Sequence, residues 1–550
     1  MSACPVRNLG DLLDRAASEH AAREAVVFGE ERLDYLELRE KTNQLAKALL
    51  HYGVQVGDRV AIWMTNRPEW MYSEFAIAKV GAVIVPMYTR LGLVEAEYLL
   101  KQSDCNVLIM MDRFLKHRFV DMLYEMCPEI RTSSSSRELR TAKLPSLRRV
   151  ICLSPEGTRY QGTIDFSEAL KTGRESGSDR ELADRQAGVD PDLVVNIPFT
   201  SGTTGFPKGV MTTHAQYLCA IQRMGENWRI TPADRFLGVG PLCFNLGNMA
   251  GALISVMYGA CIVLVEWFDP GEALRLIQKE RCSVLSGFAT IFIMLLEHPD
   301  LEKYDTGSLR TGVFALPNIS DPEGLLKRVQ DRLHFPEITA SYGMTENSGS
   351  VSVTRVGDSL EKIAHTVGKP LPGVAVKVID PATGEDLPTG EEGELCTKGY
   401  LVMKGYFKMP EETAKKFTAD GWFRTGDLAA IDADGYIRIR GRMVDMIKSG
   451  GISVYPGEIE LFLSRYPGVK DVQVVGVPDD RRGEVPVAFI QPDPGVSLAP
   501  EEILSFCRGK IADYKIPRHV FSVTEYPLSS IGKIQKYKLR QTAVQALSNR

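Results

Sequence analysis

The sequence has no Cys-x-x-Cys pair and no cysteine at a metal-ligand spacing from histidine, although it contains ten cysteines. Scattered cysteines are typical of reduced thiols in a cytosolic protein and argue against a disulfide framework or a zinc site. A large excess of charge of one sign is also missing, since 65 basic residues stand against 70 acidic ones. The net charge of -5 gives no general attraction to nucleic acid or to an anionic membrane. These absences favour a cytoplasmic protein that has no nucleic-acid partner.

A secretory signal and an uninterrupted membrane span are missing as well. The N-terminal apolar stretch contains Asp11 and Arg15, so it predicts an amphipathic helix and not a signal sequence. Residues 236–265 carry no charge and are long enough to cross a bilayer, but Pro241 and Asn248 interrupt them. We interpret this stretch as a strand, a turn, a helix of small residues and a second strand. Buried strands on either side of a helix indicate a parallel sheet, so we expect no membrane span.

The pattern along the chain indicates two domains of the α/β class. A chain of 550 residues exceeds one ordinary core. Helices and buried strands alternate, for example over residues 35–86, which predicts layered α/β architecture. Short segments separated by Gly and Asp follow residue 370 and indicate antiparallel strands. We predict a large N-terminal domain of layered α/β sheets with a β-rich subdomain, residues 1–441, and a small mobile α+β C-terminal domain, residues 442–550.

Two polar stretches, residues 131–140 and 171–188, are rich in Ser, Arg, Asp and Glu. Their composition predicts solvated loops without a chemical role.

The stretch FTSGTTGFPKGV, residues 199–210, combines hydroxyls, glycines and a single cation after an apolar segment that predicts a buried strand. Glycines allow backbone N–H groups to approach a ligand, hydroxyls donate further hydrogen bonds, and Lys208 neutralises negative charge. This combination suits a polyphosphate held in the loop that leaves the strand. It differs from the common phosphate-loop pattern because Pro207 stands where that pattern has its second glycine. A flexible Ser/Thr/Gly loop is the alternative interpretation.

Four further motifs follow in order: SYGMTE at 341–346, GWFRTGDL at 421–428, GRMVDMIKSGGISVYPGEIE at 441–460 and LSSIGKIQK at 528–536. Together with residues 199–210 they closely resemble the adenylate-forming superfamily of acyl-CoA synthetases, peptide-synthetase adenylation domains and luciferases. The resemblance covers essentially the whole chain. It implies an enzyme in which a carboxylate attacks the α-phosphate of ATP. Such chemistry requires that phosphates, a metal ion, a nucleoside and two carboxylate oxygens are held at once.

The resemblance implies a nucleotide site made from these motifs. Glu346 is expected to bind Mg²⁺, Thr345 to contact the α-phosphate, and Tyr342 to face the adenine. Asp427 is expected to accept the ribose hydroxyls, and Arg442 to reach the ribose or the phosphates. The other nucleotide-binding residues that we expect are Gly343, Thr200, Ser201, Gly202, Thr203, Thr204, Gly205 and Lys208. Taken alone, Asp427 would be an ordinary turn aspartate and Tyr342 a buried tyrosine.

The two C-terminal motifs imply residues that act in different steps. Lys533 is expected to reach from the small domain to the substrate carboxylate and the α-phosphate during adenylation, where a cation offsets the charge between two anions. The small domain is then expected to rotate, so that Gly451 lets the pantetheine of CoA pass close to the backbone and Lys448 assists the second step. Taken alone, Lys533 would be an exposed lysine near the C-terminus.

The sequence departs from the family pattern at several positions. Phe244 in PLCFN stands where a histidine often does, which predicts a more apolar acyl pocket there. Val444 replaces the Asp or Lys of the hinge position, and Ile452 with Ser453 replaces the Glu-Asn of many CoA ligases. A glycine-rich segment near the pocket wall is altered to GVFALP at residues 312–317. The other pocket-wall residues that we expect are Leu246, Met249, Phe288 and Ala289.

These observations predict an ATP- and Mg²⁺-dependent ligase that joins a small-molecule carboxylic acid to CoA through an acyl adenylate. We expect an apolar aliphatic or cyclic acid, because the predicted pocket stretches contain no charged residue. An amide-forming ligase with an amine or amino acid as acceptor is the main alternative, since the hinge and the Glu-Asn pair are altered. A carrier-loading enzyme is a third candidate. A non-catalytic nucleotide-binding regulator ranks far lower because Lys208, Glu346 and Lys533 are all present. We expect a monomer or a homodimer.

Overall fold

The structure of the protein is a computed structural model that describes residues 6–133, 138–200, 207–315, 321–449, 452–479, 482–528 and 534–548. At positions 444, 448, 452, 453 and 548 it describes the backbone alone. The expected site residues that lie outside the described residues are Ser201, Gly202, Thr203, Thr204, Gly205, Gly451 and Lys533. Parts of the stretches 131–140 and 312–317 lie outside them as well.

An eight-stranded sheet forms the first layer of the N-terminal part. Its strands lie in the order Gly287–Phe288, Thr311–Ala315, Val284–Leu285, Arg235–Gly238, Cys261–Leu264, Glu24–Phe28 and Glu31–Asp34, with Glu337–Thr339 beside Thr311–Ala315. The pair Glu24–Phe28 and Glu31–Asp34 is antiparallel, and the other pairs are parallel. Connections between parallel strands require crossovers, which the intervening helices provide.

A nine-stranded sheet forms the second layer. Its strands lie in the order Phe199–Thr200, Lys208–Thr213, Val194–Asn196, Val83–Pro86, Arg59–Trp63, Val107–Met111, Arg149–Leu153 and Ile164–Asp165. The strand Gly405–Tyr406 pairs antiparallel with Lys208–Thr213. This last pairing brings two segments that are distant in sequence to the same sheet edge.

Two antiparallel sheets follow, and the second is the one that the sequence after residue 370 predicts. A three-stranded sheet contains Ser341–Tyr342, Ser352–Val353 and Lys369–Pro370. A four-stranded sheet contains Val374–Ile379, Gly393–Gly399, Phe423–Ile431 and Ile437–Arg442. A separate two-stranded hairpin joins Arg113–Phe114 and His117–Arg118.

The C-terminal part has a sheet of its own. Its five strands are Ile452–Val454, Ile447–Ser449, Gly483–Pro492 and Val469–Asp479 in that order, with His519–Ser522 beside Gly483–Pro492. Apolar clusters lie on both faces of this sheet, one containing Leu463 and Ile503 and the other Phe489 and Leu539. A segment that buries its own apolar surface in this way has the properties of a domain. The predicted architecture, a large layered α/β part followed by a small α+β part, is confirmed.

The helices pack against the sheets, and Pro68–Lys79 shares one apolar core with strands of both large sheets. The α-helices are Leu9–Glu19, Tyr35–His51, Pro68–Lys79, Leu93–Gln102, Phe119–Met126, Pro128–Thr132, Phe166–Ser176, Asp179–Ala187, His214–Asn227, Asn245–Gly247, Ile254–Met257, Pro270–Glu280, Ala289–Leu296, Pro322–Arg332, Leu360–His365, Pro410–Ala414, Pro456–Leu463, Pro500–Cys507 and Lys536–Ser548. Short 3₁₀ turns cover Leu301–Lys303, Thr345–Asn347, Met443–Asp445 and Asp513–Lys515. Proline occupies the first turn of several helices, where its missing N–H costs no hydrogen bond.

The charged run 171–188 corrects a prediction, because it is helical and not a loop. Phe166–Ser176 and Asp179–Ala187 are consecutive helices, with Asp165 and Ser178 capping their first turns. A Cβ atom on Gly173 would stand 1.7 Å from the carbonyl oxygen of Gln44, so the first helix packs directly on the backbone of its neighbour. Tertiary contact at a glycine therefore outweighs a composition that is typical of loops.

The uncharged segment 236–265 folds as the strand and helix pattern predicts. It contains the parallel strands Arg235–Gly238 and Cys261–Leu264, which are neighbours in the eight-stranded sheet. The helical segment between them begins at Asn245–Gly247, passes through the π-helical turn Asn248–Leu253 and continues as the α-helix Ile254–Met257. Among the described residues, no helix is long and apolar enough to cross a membrane.

The carboxyl group of Glu74 is buried in the core of the N-terminal part, and it makes stability depend on pH. Asn248 Nδ2 donates to both oxygens of Glu74, at 2.9 and 2.8 Å, and burial raises the pKa of the carboxyl to about 7. The folded state therefore holds a proton that the unfolded state loses above its ordinary pKa of 4.5. Stability should fall as the pH rises from about 4.5 to about 7 and then stay level, at a cost on the order of 3 kcal/mol.

The substitution Glu74→Gln tests this dependence, because it keeps the size of the side chain and removes the titration. We expect the variant to gain stability over the wild type as the pH rises from 5 to 8, measured by urea unfolding at each pH. The substitution can also change the free energy of unfolding by a fixed amount, which the comparison near pH 4.5 measures, so only the change in the difference between pH 5 and pH 8 reports the titration. A difference that does not change with pH would contradict the assignment.

Candidate active site

The stretch 199–210 forms a short antiparallel pair around its glycine-rich loop. Phe199 pairs with Gly209 and Thr200 with Lys208, so the residues that flank the stretch 201–206 lie side by side in one sheet. Lys208 is the first residue of the strand Lys208–Thr213, which corrects the expectation that it lies in the loop itself. A Cβ atom on Gly209 would stand 2.7 Å from Ile197 Cγ2, so this glycine allows close packing of the pair. The strands thus fix both ends of the loop that we expect to hold phosphate.

Lys208 projects into a group of charged and aromatic side chains. Its Nζ donates to Glu412 Oε2 at 2.5 Å and lies 5.1 Å from the centre of the Tyr406 ring. Glu412 also accepts from Lys415 at 2.5 Å. The hydrogen bonds from Lys208 and Lys415 lower the pKa of Glu412 to about 2. The ion pair with Glu412 and the Tyr406 ring therefore hold the ammonium of Lys208 in one position.

Glu346 lies in the 3₁₀ turn Thr345–Asn347 and faces the same group. Tyr406 Oη donates to Glu346 Oε1 at 2.9 Å, and Met403 N donates to the carbonyl of Glu346 at 2.8 Å. Glu346 Oε2 has no hydrogen-bond partner within the described ranges and can accept a further ligand. A partly exposed carboxylate oxygen is a ligand that Mg²⁺ prefers, and Mg²⁺ commonly uses one or two carboxylates together with substrate phosphates. Glu346 therefore fits a magnesium ion that is shared with a polyphosphate.

Asp427 is the centre of a second group, on the four-stranded sheet. Gly426 precedes it with φ +76°, and Asp427 lies opposite Arg442 on the neighbouring strand. Arg442 forms an ion pair with Asp427, with Nε 2.8 Å from Oδ1, and Tyr342 Oη donates to Oδ2 at 2.5 Å. A carboxylate has about four acceptor positions, so each oxygen of Asp427 can accept one further hydroxyl. This geometry suits a group that presents two adjacent hydroxyls.

The electrostatics of the second group follow from burial. Burial raises the pKa of Asp427, while the Arg442 charge and the hydrogen bond from Tyr342 act in the opposite direction. Burial and the neighbouring carboxylate raise the pKa of Tyr342, so its hydroxyl stays protonated and donates. The Tyr342 ring is thereby tied at its hydroxyl end to the carboxylate. Residues of the SYGMTE motif thus reach both groups, since Tyr342 belongs to the second and Glu346 to the first.

The other expected site residues are placed less completely. Gly343 is exposed, and a Cβ atom there would stand 2.1 Å from the carbonyl oxygen of Gly349, so close backbone packing explains this glycine. The backbone of Lys448 lies in the strand Ile447–Ser449, and its side chain is not described. The five residues from Ser201 to Gly205, with Gly451 and Lys533, stay predictions.

Of the expected pocket-wall residues, Phe244 packs against Tyr88 with ring centres 5.0 Å apart. Met249 and Ala289 are buried, and Leu246 packs against the core. Phe288 is 51% exposed, so it is placed at a surface in this structure and not in a closed pocket.

Sequence reasoning missed Tyr406 and Glu412, which lie in the segment GYFKMPEET at 405–413. Both contact residues that the motifs predict, as described above. The available signal was weak: a Gly-Tyr pair, then proline and two acidic residues at the start of the helix Pro410–Ala414. These residues become recognisable once Gly405–Tyr406 is seen to pair with the strand that carries Lys208.

Comparisons with known proteins identify the family to which the chain belongs. Residues 13–407 match the family model for AMP-binding enzymes, and residues 458–533 match the model for their C-terminal domain. YngI of Bacillus subtilis (strain 168) is 41% identical over 539 residues, which cover 98% of this chain and 97% of that protein. The mitochondrial medium-chain acyl-CoA ligase ACSF2 of Danio rerio is 36% identical over 537 residues, covering 96% and 87%.

A solved structure is similar over nearly the whole length as well. ATP-bound MatB from Rhodopseudomonas palustris superimposes with a TM-score of 0.81 at 28% identity, covering 98% of this chain and 99% of that one. The sequence motifs, the fold and these matches lead to one conclusion. The chain belongs to the AMP-binding enzymes, the adenylate-forming superfamily.

Proposed function

We propose that the Lys208 and Asp427 groups form one nucleotide site, in which this enzyme activates a carboxylic acid with ATP and transfers the acyl group to CoA. The observation that carries the proposal is the pairing of Gly405–Tyr406 with Lys208–Thr213, which places a cation, a free carboxylate oxygen and a fixed tyrosine ring together. The protein is an AMP-forming acid–CoA ligase. The name of the relative ACSF2, an acyl-CoA ligase, supports CoA as the acceptor.

In the first step, a carboxylate oxygen of the acid attacks the α-phosphorus of ATP. A new P–O bond forms, the bond between the α-phosphorus and the bridging oxygen breaks, and pyrophosphate leaves with that electron pair. Asp427 accepts the two ribose hydroxyls, and Tyr342 faces the adenine. Lys208 and the residues Thr200 to Gly205 bind the phosphates, with Thr345 near the α-phosphate. Fixed groups of this kind lower the barrier because they are already oriented when charge develops.

When bound, Mg²⁺ supplies positive charge to the phosphate oxygens. Glu346 is the residue that would hold it. In the second step, the CoA sulfur attacks the acyl carbon, the bond to the AMP oxygen breaks, and the thiol proton passes to solvent. Lys533 serves the first step, while Lys448 and Gly451 serve the second. The residue roles in both steps are our proposal.

The acid is proposed to be an apolar aliphatic or cyclic one. Phe244 packs on Tyr88, and the neighbouring residues Leu246 and Met249 are apolar. The relative ACSF2 is named a medium-chain acyl-CoA ligase, which agrees with an aliphatic chain. A charged second group on the acid would find no counter-charge on these three side chains.

The decisive experiment measures pyrophosphate release across a panel of acids, repeated with CoA, with amines and with neither. We expect release to depend on apolar acids and acyl-CoA to accumulate when CoA is present. A dicarboxylate or an amino acid as the best substrate would overturn the proposed acid. An amide product in place of the thioester would overturn the acceptor.

Three further properties stay proposals. We propose that the domains divide at residues 1–441 and 442–550, supported by the separate sheet and apolar clusters after residue 447. A cytoplasmic location agrees with the nine described cysteines, all of which are free thiols. A monomer or a homodimer is the proposed assembly, and sedimentation of the purified protein tests it.

A further inference from the structure

Tyr406 contacts both Glu346 and Lys208. Its hydroxyl donates to Glu346 Oε1 at 2.9 Å, and the Nζ of Lys208 lies 5.1 Å from the centre of its ring. The side chain is 4% exposed, so these contacts form in a partly desolvated place where charge interactions are strong. One tyrosine thus joins the expected metal-binding carboxylate to the expected phosphate-binding cation.

The position of Tyr406 is fixed from several sides. Its backbone pairs with Val210 of the strand that begins at Lys208, and its N–H donates to Thr413 Oγ1 at 2.8 Å. Phe407 N donates to the carbonyl of Gly209 at 2.8 Å. Burial and the charge of Glu346 raise the pKa of Tyr406 well above its ordinary value, so the hydroxyl stays a donor. The strand pairing therefore fixes the backbone of Tyr406, and the contact with Glu346 fixes the hydroxyl end of its ring.

Glu412 is the second side chain that contacts the ammonium of Lys208. The ion pair at 2.5 Å and the Tyr406 ring confine the ammonium, whose side chain is 16% exposed. Among the described residues, no hydrogen bond joins Glu412 to Glu346. Tyr406 is then the side chain that links the two functions, while Glu412 acts on the lysine.

We propose that Tyr406 is a positioning residue that holds Glu346 and Lys208 in one fixed arrangement, through its hydroxyl for the carboxylate and through its ring for the ammonium. This inference rests on the proposed function, in which those two residues serve the metal ion and the phosphates. Removing a residue that orients a metal-binding carboxylate typically lowers the metal affinity about 10–100-fold. The two contacts use different parts of one side chain, so substitutions can separate them.

Tyr406→Phe removes the hydroxyl and keeps the ring. We expect the complex of enzyme and ATP to bind Mn²⁺, a paramagnetic substitute for Mg²⁺, roughly tenfold more weakly. Free Mn²⁺ is counted by electron paramagnetic resonance, with the protein in excess over ATP and no acid present, so the measurement does not depend on turnover. The affinity for ATP in the presence of a chelator, measured by calorimetry, should stay unchanged because the ring under Lys208 remains.

Tyr406→Leu removes the ring as well. We expect this variant to bind ATP about fivefold more weakly in the presence of a chelator, because the contact of the ring with the Lys208 ammonium is lost. The loss of Mn²⁺ affinity should remain. Tyr400→Phe is the matched control, since the buried Tyr400 hydroxyl has no hydrogen-bond partner among the described residues. Both of its affinities should equal those of the wild type. Circular dichroism and thermal unfolding confirm that each variant is folded.

Two more variants separate this inference from the proposed function. Glu346→Gln should weaken Mn²⁺ binding and Lys208→Ala should weaken metal-free ATP binding if those residues serve the site. If both do so and Tyr406→Phe leaves the Mn²⁺ affinity unchanged, the positioning role is wrong while the site stands. If neither changes an affinity, the proposed site is wrong. A Tyr406→Phe protein that loses Mn²⁺ affinity and metal-free ATP affinity equally would also overturn the separate roles of hydroxyl and ring.

Discussion

Replacing Lys533 by alanine should reduce the rate of adenylation by roughly 10²–10³, because a cation that stabilises the transition state is lost. Transfer of the acyl group from a separately supplied acyl adenylate to CoA should continue at nearly the wild-type rate. The reason is that the proposed domain rotation moves Lys533 away before the second step. Pyrophosphate release measures the first step, and thioester formation from the synthetic adenylate measures the second.

Gly451→Leu is the reciprocal variant of Lys533→Ala. A side chain at position 451 should obstruct the proposed path of the pantetheine, so thioester formation should fall while pyrophosphate release continues. Equal damage to both steps by Lys533→Ala, or stronger damage to adenylation by Gly451→Leu, would contradict the two-step use of one site. Val444 at the hinge position would then be the first residue to examine.

Asp427→Asn should lower kcat/KM for ATP by about 10²–10³. Hydrogen bonds to a charged acceptor contribute roughly 1.5–3 kcal/mol each, and the proposed ribose contact contains two of them. The change keeps the size of the side chain, and Arg442 is 49% exposed, so the unpaired guanidinium is hydrated and the fold should persist. Steady-state kinetics with varied ATP measures the effect.

2′-Deoxy-ATP provides the control for Asp427→Asn, because it lacks one of the two hydroxyls. The wild type should discriminate against this nucleotide, and the variant should discriminate much less. If the substitution lowers the use of both nucleotides by the same factor, Asp427 acts on the fold of the site and not on the ribose. Tyr342→Phe, which removes one donor to Asp427, should show an intermediate effect if the carboxylate needs this hydrogen bond.

The sequence predicts the parts of this site better than it predicts their contacts. Asp427 and Arg442 are recognisable from their motifs, but their pairing depends on the register of two strands, which the motifs do not contain. Tyr406 and Glu412 were missed because their contacts with the site depend on a strand pair that joins residues about 200 positions apart. Local patterns report local geometry, and contacts of this kind follow from tertiary structure.

The fold shows the same division between local and distant information. The alternation of helices and strands in the first 90 residues is a local signal, and the structure has helices Tyr35–His51 and Pro68–Lys79 with strands between and after them. The charged run 171–188 was predicted wrongly because its composition does not show that the helix Phe166–Ser176 packs through Gly173 on the backbone at Gln44. Composition carries no information about which surface a polar helix will meet.

The antiparallel pair of Lys208–Thr213 with Gly405–Tyr406 also has a consequence for biosynthesis. During translation, the ribosome releases the first strand roughly 200 residues before the second. A nascent chain that ends before residue 406 therefore lacks Tyr406 and Glu412, which contact Lys208 in the folded protein. Until the second strand emerges, the strand Lys208–Thr213 lacks this neighbour, and the N-terminal intermediate depends for its stability on the apolar core that it already contains.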